Sequence, residues 1–260
     1  MATIDADEVV IGQGTVIHPT AVLCGADGGR ARRIVLGDHC TIGDSVQIRC
    51  VDFALGDYGK LHHHTNVHGT RPCRIGHNAW IGQYCIIDSI GGMTIGDNCG
   101  IGAHSQLWSH IKYGDTLEGC RFLGDKPMTI GKDVWFVGHC IVSPVTAGDR
   151  AMALVGSVIT RDLEANHVYA GTPAVDVTAK VGPQFEDRDP ADKLARLRAL
   201  VIASGLDAST LVAVATRAEV ADDGRSYFIV ADRTYTKRGT AAEVAFMKFL
   251  LPSRGKFTPA

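Results

Sequence analysis

Histidine has an ordinary pKa near 6.5, so it is the side chain best suited to taking and returning a proton at neutral pH. This chain carries eleven. Two placements stand out. "LHHHTNVHG" gathers His62, His63, His64 and His68, and "IGAHSQLWSHIKYGDTLEGC" runs as a regular repeat until it stops at His110. A periodic chain that breaks its period beside a histidine gives up packing for something else. The polar residues after His110 last until Thr129 and hold three carboxylates, of which Asp115 and Glu118 come first. The eight cysteines include no C-x-x-C pair, and Cys40, Cys85, Cys99 and Cys140 fall at a small-residue slot of the repeat. They read as free thiols packed as small hydrophobes, not as a zinc site or a disulfide framework.

The elements that must position these residues follow from a period of six. Frames opening on an aliphatic residue read LGDHCT-IGDSVQ from Leu36, IGHNAW-IGQYCI from Ile75, IGDNCG-IGAHSQ-L from Ile95, and IGKDVW-FVGHCI-V from Ile130. They return as AGDRAM-ALVGSV-I from Ala147, and weaker copies start at Ile11. Six is neither the 3.6 of a helix nor the 2 of a half-buried strand. It fits a short flat strand with its aliphatic residue inward, followed by a bend that the glycine, aspartate or asparagine makes. Three such sides close a coil, and stacked coils bury one continuous core, so the fold reads as an all-β solenoid. The frame slips at residues 23–33, read as a surface loop, around residues 50–74, and over 111–129, the longest insertion. Insertions in a solenoid leave the core intact and collect on a binding face.

Residues 1–183 form this solenoid, and 184–260 read as a small α/β appendage. Leu194, Leu197 and Val201 mark one face of a helix. Residues 211–236 read as a hairpin turning at Asp223-Gly224, and Thr240 with Glu243 caps a helix that ends before Pro252. A net charge of −2 without a basic run excludes nucleic acid and an anionic membrane as main partners. The N-terminus has no apolar secretory core and no apolar run spans a bilayer, so a cytoplasmic location is expected.

The stretch from Ile95 to Val177 resembles the hexapeptide-repeat acyltransferases, in particular their maltose/galactoside O-acetyltransferase branch. The resemblance rests on "TIGDNCGIGAHSQLWSH", a polar loop, "GDKPMTIGKDVWFVGHCIV" and "GSVITRDLEANHVYAGTPAVDV", in that order. It implies a left-handed parallel β-helix, a homotrimer with active sites between subunits, and acetyl-CoA or another acyl-CoA as co-substrate. The acceptor is a small molecule such as a sugar or nucleotide sugar, acylated on a hydroxyl ahead of an amine. His110 stands at the catalytic histidine. As general base it takes the acceptor's proton and returns one to the departing sulfur, with its second nitrogen held by a carbonyl or carboxylate. Trp135 matches a tryptophan near the pantetheine arm; Gly138, Val155 and Thr160 match the CoA channel; Arg161 matches a basic residue near the nucleotide phosphates. Asp88, Asp115, Glu118 and His64 are candidates for the acceptor. One departure is clear: after "TPA", where the family carries lysine or arginine, Val175 and Asp176 follow, which leaves Lys180 or Arg161 for the phosphates.

The γ-class carbonic anhydrases share this fold and bind zinc through three histidines, so a zinc lyase is the alternative. His64 and His68 with His77 or His104 would supply its ligands. The loop after His110 favours the transferase, for which no metal is expected.

Overall fold

The computed structural model describes residues 2–260. The chain divides into two compact units, the first ending at Phe185 and the second spanning Glu186–Ala260. Among the described residues of the first, three largely parallel sheets of eight, seven and nine strands account for almost all regular structure. The chain visits them in rotation as far as Val158–Ile159. Gln47–Cys50 lies in the first sheet, Asp52–Leu55 in the second, Lys60–Leu61 in the third, and Asn66–Gly69 returns to the first beside Gln47–Cys50.

Register explains why six-residue spacing produces this. Leu23, Ile48, Val67, Ile87, Leu107, Val142 and Ile159 are successive partners down the first sheet. All seven are buried. Ile17, Ile42, Leu61, Ile81, Ile101 and Phe136 are likewise successive partners in the third, all buried but the half-buried Ile17. At about 25 cal/mol per Å² of apolar surface, these inward columns are the main stabilising term of the unit. The bends between strands put non-glycine residues at positive φ, among them Tyr58, His64, Asn78, Tyr84, Asn98, His104 and His139. Asparagine and histidine tolerate this region better than most side chains.

Two of the apparent frame slips are smaller than they read. Residues 50–74 keep the period as Leu55, Leu61 and Val67, all buried. It was hidden because His62 follows Leu61 where other frames carry glycine. Within residues 23–33, Leu23 and Cys24 complete a strand, and Ala31–Leu36 begins the next. The loop is confined to residues 25–30, which include the 3-10 turn Ala26–Gly28. The insertion at 111–129 is real and forms an antiparallel hairpin, His110–Lys112 against Leu123–Asp125.

In the second unit the helix Pro190–Ala203 is capped by Asp189, which accepts from the Ala191 amide at 2.7 Å, and buries Leu197 and Val201. The expected hairpin at Asp223-Gly224 is absent. Leu211–Val214 pairs with Ser226–Ile229 in parallel, because the connection carries a 3-10 turn, Arg217–Glu219, and crosses over instead of folding back. The antiparallel turn falls later, between Ser226–Ile229 and Thr234–Tyr235. Thr240 caps Ala241–Leu250 by accepting from the Glu243 amide. The buried Glu243 carboxylate accepts from the amides of Arg238 and Gly239.

The tight corners predict a contrast between two glycines. A Cβ on Gly102 would lie 2.0 Å from the Val137 carbonyl oxygen, whereas nothing lies within 4 Å of one on Gly124. Gly102→Ala should therefore lower stability by about 1–3 kcal/mol, and Gly124→Ala should stay within about 0.5 kcal/mol of the parent. Thermal unfolding of the two variants checks this.

Candidate functional site

The site forms at the corner where the chain passes from the first sheet to the second. Leu107 ends its strand inward, and the Trp108 amide donates to the Val142 carbonyl at 2.9 Å, fixing the exit to the coil that follows. The next two residues turn back over the preceding coil, where Asp88 waits. Its carboxylate is 0% exposed. Oδ2 accepts three hydrogen bonds at 2.7 Å, from the Ser109 amide, the Ser109 hydroxyl and His110 Nδ1. Oδ1 accepts from the Ile90 amide at 3.0 Å. Burial pushes the carboxyl pKa up. The bonds from His110, Ile90 and Ser109 outweigh it and hold the group below the ordinary carboxylate range.

An ionised carboxylate only accepts, so the hydrogen between Asp88 and His110 sits on Nδ1. That leaves Nε2 of a neutral ring with a free lone pair. The His110 side chain is 20% exposed and lines a cavity of about 370 Å³. The hairpin supplies one wall with Phe122 and Leu123, and Pro144 of the following coil supplies another. The hairpin closes at its base, where the Lys126 amide donates to the Ser109 carbonyl at 2.9 Å. Gly91 makes this approach possible: a Cβ there would stand 2.3 Å from the Lys126 carbonyl oxygen and 2.5 Å from that of Ser109.

His68 reaches the same carboxylate from the neighbouring strand, with Nε2 3.6 Å from Asp88 Oδ1 and Nδ1 3.2 Å from Asn66 Oδ1. Burial lowers its pKa; Asp88 works against this and His110 adds to it. Trp108 stands between the two imidazoles, its ring centroid 6.3 Å from each.

The residues singled out from the sequence fall in several places. Asp88, expected at the acceptor, has no solvent-facing surface and both oxygens engaged, so its geometry is that of a support for the imidazole. Asp115 turns the hairpin tip by accepting from the amides of Leu117 and Glu118, and neither Asp115 nor Glu118 lines the cavity. Thr160 and Arg161 follow Val158–Ile159 at the same corner as His110 and are exposed. Gly138 and Val155 lie at a different corner, between the third sheet and the first, with the Gly156 amide donating to the Gly138 carbonyl at 3.0 Å. Trp135 opens a third-sheet strand and is 47% exposed. Asp176 is held by the Thr178 amide at 2.8 Å and by His167 Nδ1 at 2.6 Å, which bring its pKa down to about 2.

His64 lies at the corner of Gly138, in a stack with Tyr84, His104 and His139 whose ring centroids are 4.8–5.1 Å apart. His77 sits at another bend, next to Asp57. The histidines a zinc site would draw on are thus dispersed, and among the described residues no group of three His, Cys, Asp or Glu is placed to hold a metal ion. Ser109, Gly91 and His68's contact with Asp88 went unread in the sequence. The signal for the first two was present: a serine before the histidine and a Gly-Gly pair one coil earlier.

No protein-family model matches the chain. It is similar to galactoside O-acetyltransferase of Escherichia coli (strain K12), 39% identical over 64 residues, which are 24% of this chain and 29% of that protein. It is also similar to nodulation protein L of Rhizobium meliloti (strain 1021), 37% identical over 103 residues, 38% of this chain and 56% of that protein. The chain thus spans less than two thirds of the length of these curated relatives. Among solved structures, the polySia specific acetyltransferase NeuO aligns over 75% of this chain and 93% of its own, with 18% identity and a TM-score of 0.47.

The Asp88 network has a pH signature. A carboxyl with a folded pKa below its unfolded value of about 3.9 adds stability above that value and loses it as pH falls through the folded pKa. Asp88→Asn should therefore unfold at a lower temperature than the parent near neutrality, and the gap should narrow below about pH 4. A Tm difference that holds constant down to strongly acidic pH would refute the assignment.

Proposed function

We propose that this chain, which belongs to the hexapeptide-repeat acyltransferase family, moves an acyl group, acetyl in the first instance, from acyl-CoA to a hydroxyl of a sugar or similar small metabolite. The observation that carries this reading is the His110–Asp88 pair at the mouth of the cavity. An alcohol is a poor nucleophile toward a thioester unless its proton leaves during attack. His110 Nε2 takes that proton while the acceptor oxygen bonds to the thioester carbonyl carbon. As the carbon–sulfur bond breaks, the same nitrogen gives the proton to the departing sulfur. Asp88, at 2.7 Å from Nδ1, steadies the imidazolium between the two transfers and fixes the tautomer that begins them.

The left-handed coil, the homotrimer and the cytoplasmic location belong to the same proposal. Its placement of residues supports assembly between copies. His110, Thr160 and Arg161 share one corner, while Gly138 and Val155 occupy another, so a channel drawing on both sets takes one from each of two chains. Among the described residues no helix is long and apolar enough to cross a membrane.

The test is release of free thiol from acetyl-CoA across a panel of sugar acceptors. His110→Ala should reduce turnover by about 10²- to 10⁴-fold and leave the chain folded with a modestly lowered Tm, because Asp88 loses the His110 donor but keeps those of Ser109 and Ile90. Turnover near the wild-type rate in that variant rejects the assignment.

A further inference from the structure

The cavity beside His110 carries charge of one sign. Arg121 and Lys126 both line it, and no carboxylate does. Two neighbouring cations share one carboxylate, Arg71 at 3.3 Å and Lys112 at 3.6 Å from Asp125, and Arg161 of the same corner does not line the cavity. Among the described residues neither the Arg121 nor the Lys126 side chain has an ion-pair partner. The nearest negative charge behind the ring, Asp88, is sealed from the cavity and committed to Ser109 and His110. A neutral sugar is commonly gripped by carboxylates that accept from its hydroxyls, and this wall offers none. Instead it presents two unmatched cations beside Phe122 and Pro144, a one-signed wall that attracts an anion.

We propose that the acceptor carries a negative charge, as a carboxylate or phosphate close to the hydroxyl that is acylated, and that Arg121 and Lys126 hold it. Arginine supplies a planar fork for two anion oxygens and lysine a point charge. This inference rests on the acyl-transfer reading and narrows its substrate class. The phosphates of CoA offer the same chemistry, but they lie at the far end of the pantetheine arm from the thioester. A cavity that has His110 in its wall is at the thioester end.

The experiment compares glucose, glucuronate and glucose 1-phosphate as acceptors with acetyl-CoA, for the full chain and for Arg121→Gln, Lys126→Gln and the double variant. In parallel, glucuronate and glucose 1-phosphate are titrated calorimetrically into the CoA-loaded protein at low and high salt. The expected result is a kcat/KM for at least one charged sugar about tenfold or more above that for glucose, with the preference collapsing in the double variant. Preference for the carboxylate over the phosphate, or the reverse, assigns the anion. Equal use of glucose and both charged sugars overturns the inference and leaves acyl transfer standing. A double variant that raises the KM for acetyl-CoA while keeping the acceptor preference also overturns it, since the cations then serve the donor. If no acceptor releases thiol, acyl transfer fails on this panel and calorimetry decides the anion site. Salt-sensitive binding lost in the double variant supports it, and no binding overturns it.

Discussion

A carboxylate that no water touches must be matched by donors, and that requirement organises the candidate site. Leaving a buried charge unmatched costs several kcal/mol, a large part of the stability of a domain. Asp88 is matched only because Ser109 and His110 fold back over it, and they reach it only because Gly91 has no side chain in their way. The serine contributes twice, since its hydroxyl donates to Asp88 and accepts from the Gly91 amide at 2.8 Å. The orientation of the imidazole is the last step of this sequence. Its Nδ1 is drawn to the carboxylate, and the opposite edge is left for chemistry.

The coil makes such a network compatible with a long insertion. Leu107 and Val142 remain direct partners across it, and so do Met93 and Met128. The core columns therefore do not register that the chain has left between 109 and 126. The hairpin is pinned at its base by Ser109 and Lys126 and grows outward from a fixed point. Its sequence is free to shape the cavity without a cost in core packing.

The fold was legible because the aliphatic residue recurs every six positions wherever the corner is tight. It was obscured where a corner uses another residue type, as at His62, and where a side chain in the bend draws the eye from the aliphatic beside it. In the second unit Asp223-Gly224 satisfied the local rule for a hairpin turn, but the strands on either side pair in parallel, a decision made by the sheet and not by the dipeptide. In the site, His110 was legible from the broken period. The partner its second nitrogen needs was anticipated as a type, a carbonyl or carboxylate. That it is Asp88 depends on two residues 22 apart meeting across a corner, which requires the register of the coils and the close approach at Gly91. The one-sided charge of the cavity was out of reach, because it follows from how an aperiodic hairpin folds over.

The placement of charge at this corner bears on the base itself. The negative group lies inside, 2.7 Å behind the ring, and the positive groups lie outside, on the wall that the substrate meets. In the proposed reaction the imidazole becomes a cation between them. Asp88 favours that state, and two unmatched cations across the cavity oppose it. An acceptor bearing an anion cancels the opposing field at the moment it binds, so the substrate that fits the cations also eases the charge its own proton creates. A neutral acceptor leaves the field in place, and the ring then takes the proton against it. Selectivity and proton transfer are coupled through one field. This arrangement needs the carboxylate to be buried, since an Asp88 exposed to the cavity would neutralise the cations and remove the distinction between charged and neutral acceptors.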